Sequence, residues 1–160
     1  MAEGIETNEP ICIICGAENS ADAWACTECY APLELYYQAL REARLPQIIS
    51  LLGDSNVGKT VYVGMLLDIL AKGGHKMEAV AQGAYSVQLQ ESVVTHLRQR
   101  RFPPKTPSEP DQWQWACYQV RRLTGRRRQW YSLLMPDMAG DALAAEIENP
   151  QTYNVIRNLL

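Results

Sequence analysis

One stretch constrains this chain more than any other. Gly53-Asp54-Ser55-Asn56-Val57-Gly58-Lys59-Thr60 reads G-x-x-x-x-G-K-T, the spelling of a phosphate-binding loop (Walker A). Glycines let the backbone fold into a nest whose N–H groups point at phosphate oxygens. The lysine reaches the β/γ-phosphates and the hydroxyl ligates Mg²⁺. Such a loop must follow a strand and open a helix, whose positive dipole end then faces the same phosphates. Both flanks comply. Residues 46–52 (Pro46-Gln47-Ile48-Ile49-Ser50-Leu51-Leu52) form a short apolar run after a proline, which predicts a buried strand. From Val61 to Leu70 apolar residues recur at 61, 62, 65, 66, 69 and 70, which predicts a helix stopped by Gly73-Gly74.

The N-terminal quarter carries a second chemistry. Cys12-x-x-Cys15 and Cys26-x-x-Cys29 stand ten residues apart, a spacing that places four thiolates around one tetrahedral Zn²⁺. Gly16 suits the tight turn that follows the first pair. A redox dithiol needs a C-x-x-C at a helix start within a βαβ unit, and neither pair has that setting. Two buried cysteine pairs without metal are the structural alternative. Four protein ligands leave no open position, so the zinc would be structural and would supply the folding energy of a module too small to build a core. Residues 10–33 resemble the short N-terminal zinc ribbons of many bacterial proteins. Tyr30 stands where those ribbons usually have glycine, and a less regular second knuckle is expected there.

The rest of the chain reads as one ordinary domain. At 47% hydrophobic it can bury a core. A net charge of −3 argues against global affinity for polyanions such as nucleic acid. The N-terminus is acidic, with no apolar signal segment, and no run is long enough for a membrane span. The expected location is cytoplasmic, where cysteines stay reduced. Residues 1–9 read as a disordered tail. Residues 34–45 read as a connector helix with an apolar side at Leu33, Tyr36, Tyr37, Leu40 and Ala43, a solvated face of Glu34, Glu42, Arg41 and Arg44, and a stop at Pro46. A strand over His75–Ala81 and a helix over Ala84–Arg101 follow, the helix apolar at Val87, Leu89, Val93 and Leu97. His75 and His96 stand alone and read as surface or packing residues.

Four prolines between Phe102 and Pro110 make a stiff loop. Thr106 within it is either a candidate switch residue facing Mg²⁺ or the γ-phosphate, or part of a surface linker. Trp113–Val120 and Gln129–Met135 predict a β-hairpin turning at Thr124-Gly125, with Arg121, Arg122, Arg126, Arg127 and Arg128 at its tip. That tip could meet phosphate, an anionic membrane or an acidic protein partner, or it could simply protect a sheet edge. No aromatic platform separates the arginines, which counts against single-stranded nucleic acid. Cys117, alone in mid-strand, reads as core.

Trp130 to Asp137 is an apolar strand ending in Asp137-Met138-Ala139-Gly140. An aspartate at the tip of a strand beside a phosphate loop holds Mg²⁺ together with the loop's threonine, and Gly140 is expected free to swing its N–H toward a γ-phosphate. Phosphate loop, hairpin and D-x-x-G come in the order of Ras-like GTPases. Residues 58–67, 102–107 and 137–141 resemble the bacterial double-GTPase family of the translation-factor-related class. The resemblance, over about residues 46–150, implies GTP and Mg²⁺, with ATP the competing nucleotide. It places Gly53, Gly58, Lys59 and Thr60, along with the rest of their loop (Asp54, Ser55, Asn56 and Val57), on phosphate and metal, and Asp137 and Gly140 near the γ-phosphate.

Two departures follow. Asp141 stands where Ras-like enzymes place a water-orienting glutamine, so hydrolysis is expected to be weak or partner-dependent. After Asp137 come one helix (Ala142–Asn149) and Tyr153–Leu160, with no N-K-x-D. The fold class expected is therefore α/β, a partial P-loop NTPase (Ras-like) sheet with flanking helices over residues 46–160, lacking base-recognition strands and preceded by a small four-cysteine zinc ribbon. The alternative is a zinc-ribbon scaffold on a degenerate phosphate-loop domain.

Overall fold

The computed structural model describes residues 9–73, 76–123 and 129–159. Most of the predicted tail, His75, the Thr124-Gly125 turn and Arg126–Arg128 lie outside them. The chain is mixed α/β. In order come α1 (Glu34–Glu42), β1 (Gln47–Ile48), α2 (Lys59–Ala71), β2 (Met77–Gln82), α3 (Gly83–Arg98), a 3-10 turn (Pro110–Gln112), β3 (Gln114–Arg122), β4 (Trp130–Asp137), α4 (Gly140–Glu148) and α5 (Asn154–Leu159). The four strands form one sheet in the order β1-β4-β3-β2. β1 runs parallel to β4, and the other neighbours are antiparallel.

The period-2 alternation of β3 and β4 divides the interior in two. Ala116, Tyr118, Leu133 and Met135 point to the face covered by α2 and α3, where they bury Val63, Leu67, Leu89 and Val93. Trp115, Cys117 and Leu134 point to the other face, where the cysteine-rich segment, α4 and α5 pack. Tyr118 and Leu134 are fully buried at the centre, and each such side chain contributes about 1.5–3 kcal/mol. Trp113 stacks on Tyr153, centroids 6.0 Å apart, and anchors α5.

Several expectations change in detail. The strand predicted over 46–52 is a two-residue edge strand, extended by one bond from Ile49 N–H to the Leu134 carbonyl (2.9 Å). It is not buried. Ile48, Ile49 and Leu52 are 41–51% exposed, because among the described residues only β4 pairs with it. In α2 the period is legible but the phase only in part: the predicted Leu66 and Leu70 pack against the core. The buried face of α2 is Val63, Gly64 and Leu67, while Tyr62, Met65 and Ile69 are exposed; a helix apolar on nearly every side carries little phase signal. Gly64 is the crossing point with α3, since a Cβ there would lie 2.5 Å from Val93. In α3 Val87 is likewise exposed, and Ser86 faces the sheet instead, its hydroxyl 2.9 Å from the Cys117 N–H that it accepts.

Of the predicted apolar side of the connector helix, Leu33 is buried in the core while Leu40 is exposed, and the helix docks mainly through other residues. α1 buries Leu35 and sets Gln38 and Glu42 on the sheet. Gln38 donates to Ser132 Oγ (2.9 Å), and Glu42 accepts from Ser132 Oγ (2.7 Å) and from Gln119. The sheet surface beneath is polar, so a polar helix face satisfies it. Glu42 thus leaves the expected solvated face, where Glu34 and Arg41 do pair (2.7 Å). The helix ends at Ala43 in the left-handed region (φ 49°), ahead of Pro46. Arg121, expected at a free hairpin tip, is held by Glu78 (2.6 Å) and lies over the Trp130 ring.

Candidate functional site

Between the C-terminal ends of β1 and β4 the chain builds a cleft of about 300 Å³, lined by Ser55, Asn56 and Gly58–Val61, the 102–106 segment and Met138–Gly140. Two backbone positions shape the loop. Asn56 (φ 62°) and Gly58 (φ 90°) are left-handed, a conformation that asparagine and glycine adopt at little cost. Gly58 precedes α2 with no side-chain cap, so the first amides of α2 remain available to an anion.

Lys59, the first residue of α2, folds back over the loop. Its Nζ donates to the carbonyls of Gly53 (3.0 Å) and Asp54 (2.9 Å). Burial holds its pKa below the ordinary lysine value, against the pull of Asp137, Asp141 and Asp54. Thr60 meets Asp137 from the end of β4: its Oγ1 lies 3.0 and 3.1 Å from the two carboxylate oxygens. Thr106 completes the group, 3.1 Å from Asp137 Oδ2 and 3.0 Å from Thr60 Oγ1. Asp137 is only 4% exposed. Burial raises its pKa, while the two threonine hydroxyls and the Lys59 charge lower it. A hard divalent cation takes oxygen ligands of this kind, and these two hydroxyls and one carboxylate fit Mg²⁺.

The structure places Gly140 in close contact with the loop. It begins α4 packed on the loop, and a Cβ there would lie 2.4 Å from the Asp54 carbonyl carbon and 2.4 Å from the Ser55 nitrogen. Next to it, Asp141 pairs with Lys105 (2.5 Å), and this bond holds its pKa below the usual carboxylate range. Neither this pair, 36 residues apart, nor the close approach of Gly140 carries a sequence signature. Phe102, 82% exposed at the cleft, was legible only as part of a proline-rich loop.

The four N-terminal cysteines converge, with all four sulfurs within 4.8 Å of one another. Cys12–Cys29 and Cys15–Cys26 are each 3.5 Å apart, far beyond a disulfide bond. Tetrahedral zinc with bonds of about 2.3 Å sets its sulfurs about 3.8 Å apart, so the cluster has the right size. The two knuckles repeat each other. Gly16 N–H and Tyr30 N–H donate to the carbonyls of Cys12 and Cys26 (2.9 Å each), and Ile14 N–H and Glu28 N–H point at the sulfurs of the same cysteines (3.4 Å each). The second knuckle is therefore as regular as the first, because Tyr30 adopts the left-handed φ of 59° that glycine would supply. Buried Asn19 ties the knuckles together, bonding the Ala17 carbonyl (2.8 Å) and the Thr27 N–H (3.0 Å). Without a cation the sulfurs cannot all ionise. The bond from Cys29 pulls Cys12 down to about 5, and burial pushes Cys15 up to about 11. His96 joins neither site; its Nδ1 lies 2.7 Å from the Ser92 carbonyl in its own helix.

Among the described residues no helix is long and apolar enough to cross a membrane. No curated protein and no solved structure matches the chain. A family model described as Double-GTPase 1 matches residues 50–160, which include the Gly53–Thr60 loop, Thr106 and Asp137, and such membership suggests GTP binding. With well over half its length matched, and with the motifs of that resemblance converging on one cleft, the chain belongs to the Double-GTPase 1 family.

Proposed function

We propose that this protein binds GTP with Mg²⁺ in the cleft and hydrolyses it slowly or only with a partner, and that its cysteines hold a structural zinc. The observation that carries the nucleotide reading is the meeting of Thr60, Thr106 and Asp137, from three separate segments, beside Lys59. In this reading Lys59 leaves the loop carbonyls for the phosphates, and the uncapped amides of α2 bind the same oxygens. Bound Mg²⁺ neutralises charge on the phosphates. Thr60 and Asp137 hold it, and Thr106 brings the proline-rich loop down on it. Asp141, paired with Lys105, offers no amide to orient an attacking water, which supports slow hydrolysis.

Titration of a fluorescent GTP analogue with Mg²⁺ tests this. The wild type should bind saturably, Lys59→Ala should lose most of the affinity, and ATP should compete poorly. Equal, weak signals from both proteins would leave the scaffold alternative standing. That alternative draws on the packing of the cysteine-rich segment into the sheet core and on Trp24, 81% exposed on the same segment, which would offer a surface to a partner protein.

A further inference from the structure

Lys59 and Lys105 are the two cations among the described residues lining the cleft. Lys59 belongs to the phosphate loop. Lys105 stands on the opposite wall, and its backbone is fixed on both sides. Pro103, Pro104 and Pro107 set their own φ angles. Thr106 is held by Asp137 and Thr60, and Trp113 Nε1 donates to the Pro107 carbonyl (3.0 Å). The Lys105 side chain reaches across the cleft, and its Nζ rests on Asp141 Oδ2 (2.5 Å). The two side chains are 52% and 44% exposed, so the pair is weakly held. It links the 102–106 wall to the first turn of α4, where Gly140 touches the phosphate loop.

We propose that Lys105 is the residue that distinguishes a nucleoside triphosphate from a diphosphate, and that Asp141 holds it in reserve until a terminal phosphate takes its place. The inference rests on the Mg²⁺–GTP reading and adds to it a specificity residue and its release. A phosphate oxyanion carries more charge than a carboxylate and accepts the same ammonium donor, so Lys105 changes partner. A diphosphate ends short of the exchange and leaves Lys105 on Asp141. The Lys105–Asp141 bond is the resting state of both side chains, and it also lowers the pKa of Asp141.

The test compares Mg²⁺ with a non-hydrolysable GTP analogue and Mg²⁺ with GDP, titrated against wild type, Lys105→Met, Lys105→Arg and Asp141→Asn. Loss of one charge-assisted bond to phosphate should weaken the triphosphate analogue by roughly tenfold or more in Lys105→Met and leave GDP unchanged. Lys105→Arg should restore the preference, which separates loss of charge from loss of fold. Asp141→Asn, with its lysine released, should bind the triphosphate more tightly than wild type. Equal loss of both nucleotides in Lys105→Met, no loss of either, or an Asp141→Asn that behaves like Lys105→Met overturns the inference. If GDP still binds and Lys59→Ala abolishes it, the cleft reading survives that failure. A wild type that binds neither nucleotide overturns both.

Discussion

Replacing Gly140 with alanine tests the central geometry of the cleft. The new Cβ would stand 2.4 Å from the Asp54 carbonyl carbon, 2.4 Å from the Ser55 nitrogen and 2.6 Å from the Asp54 oxygen. Carbon atoms in contact sit at about 3.5–4.0 Å, so something must move by about 1 Å. The obstructing atoms are backbone and cannot rotate aside. Overpacking of this kind costs about 1–3 kcal/mol, and alanine in a helix returns up to about 1 kcal/mol. A net loss of about 1–2 kcal/mol should lower the melting temperature by about 2–8 °C in a chain of this size. The loop that moves is the one proposed to grip phosphate, and a displacement of about 1 Å should weaken Mg²⁺–GTP binding on the order of 10- to 100-fold. Gly64→Ala is the control. Its Cβ would strike the Val93 side chain at 2.5–2.7 Å, in the α2–α3 contact, so stability should fall while nucleotide affinity holds. Thermal melts and nucleotide titration on the two variants read both quantities. A Gly140→Ala protein with wild-type melting and wild-type affinity would refute the close approach and the reasoning built on it.

Other outcomes follow from the same structure. Asp137→Asn should stabilise the nucleotide-free protein yet weaken Mg²⁺-dependent nucleotide binding, on the order of 10–100-fold as for other groups that support a bound metal. The sign comes from burial, which raises the folded pKa of Asp137 above the unfolded value. Stability is thus lost as pH rises through the window between the two values, so the variant's advantage in melts should be larger at about pH 7.5 than near pH 4. Zinc should be found at one ion per chain by elemental analysis. Its removal by chelator, or Cys26→Ser, should lower the melting temperature on the order of 10 °C or more, given the folding energy structural zinc supplies; a chelator-insensitive melt would count against a zinc site. Tyr30→Gly should leave the zinc knuckle intact and stabilise it by a few tenths to about 1 kcal/mol in urea titration, because the left-handed φ of 59° strains a residue with a Cβ while glycine gives part of that back in chain entropy.

Much of this molecule is legible in its sequence. The Gly53–Thr60 loop, the helix after it, the β3–β4 hairpin and Asp137 at a strand end all rest on local spelling or on a period, and both survive in a single sequence. Phase survives only in part, and neighbours do not. Nothing in residues 46–52 tells how many strands flank them, so the predicted buried strand is an exposed edge. In α2 the inward side is legible only in part, at Leu66 and Leu70, because nearly all sides are apolar. α1 docks through Gln38 and Glu42 because the sheet opposite presents Gln119 and Ser132, a match between residues far apart in the chain. Tyr30 looked like a defect in a knuckle because side-chain identity was legible and φ was not. In the cleft the spelling named Lys59, Thr60 and Asp137, whereas the approach of Gly140 to the loop and the Lys105–Asp141 pair exist only once the chain is folded.

Met138 and Ala139 occupy an unusual place. They line the cleft, and they belong to the same buried cluster as Cys12, Cys26, Cys29 and Leu33 of the cysteine-rich segment. In the proposed reading, this cluster runs from the zinc site to the nucleotide cleft, and coupling between the two can be measured. Whatever factor zinc contributes to nucleotide affinity through those two side chains, nucleotide must contribute to zinc affinity in equal measure. Zinc affinities measured with and without nucleotide would give that coupling constant directly, and equal affinities would show that the cluster carries none.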